Sequence, residues 1–518
     1  MLLIHPPFTK ASEPPAGLAR LAGAVAAAGG RAAVLDLNLD AQLHLIGAAP
    51  PAGDTWTRRA VKQRDRNLAA IRDVRTYRRI AAYTTAVRGL GRLLEAHGEA
   101  AGVRIRLADY ADPARSPLRS ADLIAQAAEP ERHPLYAFFR ERLDHALSGT
   151  APRIVGISIN FLNQALSAFA LLGILRRDHP GVRILAGGGL VSSWLGRPGW
   201  TEPFRDLADD WIAGAGERPL LRAAGLTGEP DDFPVPDFSL FRGKEYLAPG
   251  LILGISFSDG CYWNRCAFCS ERTEDRRYLA WTPADATARL REAAARYRPA
   301  LIHLLDNALS PATLHALIAD PPGAPWYGFA RFTPELSEPD FCRALRQAGC
   351  RMLQLGLESG DPDVLARMRK GIDLAAAGLT LHRLREAGIG TYVYLLFGTP
   401  WEAEPAARRT LEFAVAHAAA IGFLNVSIFN LPRGCDEAAA LDTRPFSDGD
   451  LSLYEDFRHP LGWDRLAVRR FLDREFNRHP AIAETLRRTP PEFTSNHAPF
   501  FVPAIARPHE ATRKSMWP

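Results

Sequence analysis

The sequence predicts an α/β protein of two parallel-sheet domains followed by a small helical C-terminal cap. Three observations predict it. A strand–helix–strand pattern opens the chain, and the alternation resumes after residue 150, which together read as one Rossmann-like, doubly wound domain. Six further strand–helix units lie between residues 251 and 428, the pattern of a partial (β/α)6 TIM-like barrel. At 518 residues the chain is too long for one core and long enough for two or three domains. The expected boundaries are 1–226 for the first domain, 227–250 for a linker, 251–435 for the barrel and 436–518 for the cap and tail.

Residues 2–4 form a short apolar strand that ends at His5-Pro6-Pro7-Phe8. Gly17 to Ala28 has helical apolar spacing and stops at Gly29-Gly30, and Arg31 to Leu37 is a second buried strand ending in Asp36-Leu-Asn38. Residues 39–150 break the pattern and read as a mostly helical insertion, with a basic helical stretch near 61–97 and another near 136–148. The charge run Arg72 to Arg79 reads as a solvated helix face. Strands resume at Arg153 to Ile159, Val182 to Ala186 and Asp210 to Ala213. Ligands on such sheets bind at the carboxyl ends of the strands, so Ser158, Gly187, Gly188, Gly189 and Glu217 fall on the ligand edge. The triple glycine is also what a plain strand-to-helix turn uses, and it is not a GxGxxG fingerprint.

Gly228 to Pro249 is Pro-rich and reads as the linker. The barrel strands are expected at 251–257, 301–305, 327–331, 352–357, 390–397 and 423–428. Helices are expected at 283–297, 311–318, 338–347, 361–368, 374–386 and 404–419, the first opened by Thr282-Pro283 as cap and first turn. In the cap, Asp450 to Phe457 and Arg465 to Arg487 read as helical, and Thr494 to Phe500 lies in a Pro-rich tail.

Composition sets limits. The net charge of +5 is small for this length and argues neither for nor against nucleic acid; no feature indicates a nucleic-acid partner. No run of about 18 apolar residues is present. The N-terminus lacks the basic start and long apolar segment of a signal peptide. The expectation is a cytoplasmic protein with reduced thiols and no membrane segment.

Chemistry concentrates in Cys261-Tyr-Trp-Asn-Arg-Cys266-Ala-Phe-Cys269, which holds three of the six cysteines within nine residues. A tight odd cluster in a long chain reads as a metal site, not a disulfide framework. The Cys-x4-Cys-x2-Cys spacing fits neither usual structural zinc pattern. Three thiolates are one short of filling a four-iron cluster, which leaves an open iron. Cys342 and Cys350 read as plain buried thiols. Cys435 follows the sixth strand, on the side where barrel chemistry sits.

A three-cysteine loop after the first barrel strand, with Phe268 before the last cysteine, resembles the radical S-adenosylmethionine (radical SAM) superfamily. The usual spacing there is one residue shorter between the first two cysteines. The resemblance extends to Asp306-Asn307-Ala-Leu-Ser310, Gly356-Leu-Glu358-Ser359-Gly360 and Phe397-Gly398-Thr-Pro400, each at a strand end. It implies a [4Fe-4S] cluster on Cys261, Cys266 and Cys269, with SAM on the open iron and a 5′-deoxyadenosyl radical as the product of its cleavage. It further implies SAM-binding roles for Glu358, Ser359, Gly398, Arg331 and Phe268, with the first of these counted among the catalytic residues. A reducing electron donor such as flavodoxin or ferredoxin follows from the same chemistry.

The front half, through His5-Pro-Pro-Phe8, Asp36-Leu-Asn38, Gly156-Ile-Ser158, the triple glycine, Gly214-Ala-Gly216-Glu217 and Pro234-Val-Pro-Asp237-Phe, is similar to cobalamin-binding radical SAM proteins. That implies cobalamin held by Asp36, Asn38, Ser158, Gly187, Gly188, Gly189 and Glu217. The Asp-x-His-x-x-Gly motif that supplies a histidine to cobalt elsewhere is absent. The chain looks most like the branch containing methylases of peptide natural products, which implies a C-methyltransferase acting on an unactivated carbon of a peptide or small-molecule substrate. The alternatives are an isomerase, ring-rearrangement or oxidation enzyme of the same architecture, and a non-catalytic cluster protein.

Overall fold

The structure of the chain, a computed structural model, describes residues 1–502 except 52, 151, 228–233, 274–277 and 494–496. Strands β1 (Leu2–His5), β2 (Ala33–Asp36), β3 (Ile154–Ser158), β4 (Arg183–Gly187) and β5 (Asp210–Trp211) form one parallel sheet in the order β2-β1-β3-β4-β5. Residues 1–40 and 151–226 thus share a sheet, as predicted. The strand order reverses between β1 and β3, which opens a crevice at their carboxyl ends. Leu3 sits opposite Gly156, and Gly156 opposite Leu185, so these three residues share one face.

The insertion is mostly helical: Leu37–Gly47, Thr55–Ile71, Ile80–Ala100, Ser120–Ala128 and Tyr136–Thr150, with one small hairpin of Arg104–Arg106 and Asp109–Ala111. The expected helix near 61–97 is two helices. The run Arg72 to Arg79 is the corner between them and not a helix face. Asp73 caps a 3-10 turn there, and the buried Tyr77 donates its hydroxyl to the Ile71 carbonyl at 2.9 Å. Arg72 reaches away, donating to the carbonyl of Glu245 at 2.7 Å.

That contact is one of several fastening the linker. The Tyr246 hydroxyl donates to Asp36 at 2.7 Å, Lys244 pairs with Asp40 at 2.8 Å, and the Asp237 amide donates to the Ala19 carbonyl at 2.8 Å. Gly23 permits the last contact. A Cβ at Gly23 would lie 1.9 Å from the Val235 carbonyl oxygen. From the other side, Tyr297 of the barrel donates to Asp237 at 3.0 Å. The described part of the linker is therefore a strap bonded to both domains.

The second sheet runs in sequence order: β6 (Ile252–Ile255), β7 (Leu301–Leu309), β8 (Trp326–Ala330), β9 (Cys350–Glu358), β10 (Gly390–Phe397) and β11 (Phe423–Ile428), all parallel. Among the described residues no pairing closes β11 onto β6, so the barrel is partial. Alternation decides its two faces. Leu253, Ile302, Leu353, Val393 and Leu424 join the core that includes the surrounding helices. Ile252, Leu301, Tyr327, Met352, Tyr392 and Phe423 form a separate inner cluster. Ala498 and Val502 complete that cluster, so the C-terminal segment fills one end of the lumen. The helix Pro283–Tyr297 starts as expected, with the Thr282 hydroxyl accepting from Asp285 N–H.

The cap is helical over Arg465–Phe471 and Pro480–Arg488, with a π-helical turn at Leu472–Phe476. The expected helix at Asp450 to Phe457 is not one. Tyr454–Phe457 is the central strand of a three-stranded antiparallel sheet with Leu431–Pro432 and Thr443–Pro445. Tyr-Glu-Asp-Phe has both half-buried aromatics at its ends, a pattern too short to separate a helix turn from a strand; pairing decides it. Of the Asn496-His497 pair, Asn496 lies outside the described residues and His497 is buried against Tyr392 and Phe423. No described helix is long and apolar enough to cross a membrane.

If Gly23 is the seat of the strap, Gly23→Ala will cost about 1–3 kcal/mol through overpacking. Thermal melts should show a lowered midpoint. Gly17→Ala on the same helix, where a Cβ meets nothing within 4 Å, should leave it unchanged or raise it.

Candidate active site

Two features adjoin between the domains. The first is a cavity of about 410 Å³ at the carboxyl edge of the first sheet. Leu3, Gly156 and Leu185 make its floor, Gly187, Gly188 and Gly189 one wall, and Glu217 and Leu220 another. Glycine is required at Gly188, where φ is +108° and a Cβ would come within 2.5 Å of the Ile159 carbonyl oxygen. Gly156 and Gly216 have side-chain neighbours at 3.0 and 3.3 Å from where a Cβ would be, so their bareness sets the cavity's size. Ser158 accepts from Asn160 at 3.1 Å, and Asn160 in turn accepts from the Gly189 amide at 3.0 Å. Glu217 is buried and paired with Arg20.

The predicted residues Ser158, Gly187, Gly188, Gly189 and Glu217 thus line one cavity. Asp36 and Asn38 do not. Asp36 caps the helix Leu37–Gly47 by accepting from Leu39 N–H at 3.1 Å and also holds Tyr246. Asn38 is inside that helix, accepting from Thr9 N–H at 2.8 Å and from Gln42 at 2.9 Å. Both are buried structural groups outside the cavity lining, because the edge strand β2 ends at Asp36 and the helix begins at once.

The second is the cysteine loop, whose path out of β6 is anchored by Asp306 on β7. This buried carboxylate accepts from Phe257 N–H at 3.1 Å and from the Ser258 hydroxyl at 2.5 Å; burial pushes its pKa up to about 6. The loop then lies on the turn that follows the helix Pro362–Arg367. Ala267 N–H donates to the Met368 carbonyl at 3.0 Å, and Trp263 Nε1 donates to the Arg369 carbonyl at 3.1 Å. The Trp263 ring covers Gly371, where a Cβ would come within 2.6 Å of it.

Arg331, just past β8, joins these parts. Its guanidinium lies 4.1 Å from the Trp263 ring centroid, donates to the Lys370 carbonyl, and has Nη1 3.9 Å from Cys266 Sγ. The Lys370 ammonium pairs with Glu358 at 2.8 Å and stands 5.4 Å from the Phe268 ring centroid. Glu358 adopts φ +69° where the β9–β10 register shifts, and Gly356 leaves room for the ion pair, since a Cβ there would meet Glu358 Oε1 at 2.4 Å. Positive φ is uncommon for a residue other than glycine. Cys261, Cys266, Cys269, Phe268, Arg331 and Glu358 are therefore brought together as predicted. Lys370 was missed. Its signal was its rarity: the chain has only five lysines.

The three thiols are half-buried and near one another. Burial pushes Cys269 up to about 11, and Cys266 and Cys261 push the same way. Among the described residues no three His, Cys, Asp or Glu side chains converge as ligands to a single ion. A four-iron cluster asks for something else, since each thiolate binds its own iron. Three thiols on one short loop suit that demand.

Ser359 and Gly398 are corrections. Ser359 is fully buried, its hydroxyl 3.3 Å from Thr410 and accepting from Asp361 N–H at 3.1 Å, which builds the next helix start. Gly398 sits at φ +78° with its N–H donated to Glu402 at 2.5 Å, and Val468 of the cap covers it. Cys342 and Cys350 are buried, as expected, and Cys342 donates to the Leu336 carbonyl at 3.2 Å. Cys435 is half-buried beside Asp436 and Glu437, which pair with Arg272 at 2.8 and 3.6 Å.

Glu402 was also missed. It is fully buried, accepts from Trp463 Nε1 at 3.0 Å, and burial raises its pKa to about 7. A carboxyl raised this way contributes stability that is complete below its ordinary pKa of about 4 and is lost as pH rises through about 7. Thermal midpoints measured from acid to neutral pH should fall for this reason, by the equivalent of about 3 kcal/mol. Glu402→Gln should flatten that fall.

Residues 255–414 match the family model of the radical SAM superfamily. No curated protein matches the chain. Among solved structures, the chain is similar to the radical S-adenosylmethionine methyltransferase TsrM from Kitasatospora setae with cobalamin and [4Fe-4S] cluster bound. The identity is 16%, over 86% of this chain and 81% of that one, with a TM-score of 0.50. TsrM with tryptophan substrate and a SAM analogue gives 16% identity over 86% and 79%, at a TM-score of 0.51. At that identity the likeness shows the fold, and it spans both sheets. Residues 255–414, which hold the cysteine loop and most of the partial barrel, are thus identified as a radical SAM domain.

Proposed function

We propose that the chain is a cobalamin-dependent radical SAM C-methyltransferase acting on an unactivated carbon of a peptide or natural-product substrate. The observation that carries this reading is a shared border. The glycine-lined cavity of the first sheet is closed on its barrel side by Asp259 and Leu279, which flank the cysteine loop. A group lying in that cavity faces whatever the cysteines hold, as transfer between two cofactors requires. The TsrM likeness supports the same reading, since that protein binds cobalamin and a [4Fe-4S] cluster.

The residues fit the groups. The bare floor and wall at Gly156, Gly187 and Gly188 leave space for a broad, flat ligand. No histidine, cysteine or methionine is among the lining residues, in keeping with the missing Asp-x-His-x-x-Gly motif. When bound, the cluster with SAM supplies a carbon radical, and cobalamin supplies a transferable methyl group. Cys261, Cys266 and Cys269 hold the cluster. Glu358 presents its carboxylate to the polar groups of SAM, Lys370 fixes that carboxylate in place, and Phe268 offers an apolar face. Arg331 ties the loop to β8 and so sets the distance between the thiols and Glu358. The apolar lining of the cavity, with Leu3, Leu185 and Leu220, limits water at the border.

Anaerobic reconstitution followed by reaction with methyl-labelled SAM tests the reading. Label should enter the substrate, with S-adenosylhomocysteine and 5′-deoxyadenosine both formed. Full activity without cobalamin would sink it, and 5′-deoxyadenosine without S-adenosylhomocysteine would favour rearrangement or oxidation. Lys370→Met, which leaves Glu358 without its partner, should weaken SAM binding to the reconstituted protein about tenfold or more. Lys370→Arg should retain most of it. Equal affinities for all three would exclude Lys370 from the SAM site.

A further inference from the structure

The outer surface of the cysteine loop carries a second recess, lined by Trp263, Asn264, Arg265, Arg272, Ala366, Arg369 and Gly371. Its described lining includes three arginines and no carboxylate. Arg272 is neutralised by Asp436 and Glu437. Arg265 and Arg369 are exposed, and among the described residues neither has an acidic partner. Two uncompensated like charges at one recess raise its local positive potential, which favours an acidic partner.

The position says what that is. Arg265 lies over the Trp263 ring at 5.1 Å, and Arg331 lies over the same ring at 4.1 Å while contacting Cys266 Sγ at 3.9 Å. The recess is thus separated from the thiol cluster by one indole ring and one guanidinium. The glycine-lined cavity is bordered by different loop residues, Asp259 and Leu279, so this surface stays free when that cavity is filled.

We propose that this recess is the docking surface for the reducing partner, a small acidic one-electron carrier protein, with Arg265 and Arg369 as its charge anchors and Trp263 as the contact nearest the cluster. The inference rests on the proposed cluster assignment. In the step served, one electron leaves the donor, which is oxidised by one unit, and enters the [4Fe-4S] group, which is reduced by one unit; no bond is made and no proton moves.

The test compares reduction of the reconstituted full-length protein by a purified acidic flavodoxin hydroquinone and by dithionite, following the cluster's absorbance in stopped flow. Arg265→Glu/Arg369→Glu should slow reduction by flavodoxin about tenfold or more at low salt and remove most of its salt dependence. It should leave cluster content and dithionite reduction unchanged. Arg59→Glu/Arg66→Glu, the same charge change on the helix Thr55–Ile71, should leave both rates near those of the parent. Equal flavodoxin rates for the parent and the Arg265/Arg369 variant would overturn the inference. So would equal slowing with dithionite, which would mean that the arginines shape the cluster site itself. A parent protein that assembles no cluster would overturn the assignment of the cysteines, and the docking surface with it.

Discussion

Arg331 is the constraint on which the rest of the site depends. One guanidinium reaches a thiol and an indole ring of the cysteine loop and a backbone carbonyl of the turn at Lys370. A planar group with five donors does this where an ammonium would not. Because Arg331 stands at the end of β8, the cysteine loop inherits the rigidity of the sheet. Lys370, whose carbonyl Arg331 holds, then fixes Glu358 at its unfavourable backbone angle. Remove the guanidinium and three elements lose their common reference.

The same logic joins the domains. The strap from Pro234 to Pro249 is bonded to the first domain at Ala19 and Asp36 and to the barrel at Tyr297. His303 on β7 adds a direct bridge, its Nδ1 3.1 Å from Glu13 of the first domain and its ring stacked on Tyr327 at 4.3 Å. Two parallel sheets, each with a ligand edge at its carboxyl strand ends, are thereby held with those edges adjoining. Neither domain alone would make the border at Asp259 and Leu279.

Departures from the sequence reading have a common cause. Asp36, Asn38, Ser359 and Gly398 all sit at strand ends, where a ligand edge is expected. Being at the edge does not say which way a side chain points. Asp36 and Ser359 have near neighbours whose amide groups need capping, and those bonds take them out of the cavity. Gly398 is closed off by Glu402 beneath it and Val468 above. At Arg72 to Arg79 the composition suggested a charged helix face, but the buried Tyr77 and the capping Asp73 turn the chain. At Tyr454–Phe457 the partner strands came from residues 431–445, beyond any local window.

Taken alone, the sequence determined what depends on local periodicity and on close spacing. The six barrel strands were legible as apolar runs between helical segments, because buried parallel strands need continuous apolar residues. The cysteine loop was legible because three thiols within nine residues have few other uses. The tertiary structure decided what depends on residues far apart in the chain. Lys370 meets Glu358 only because a helix and turn fold back over β9, and Trp263 meets Arg331 only because the loop and β8 share one sheet end. Side-chain partnerships of that kind carry no period and no spacing, so they appear only when the sheet has brought their elements together.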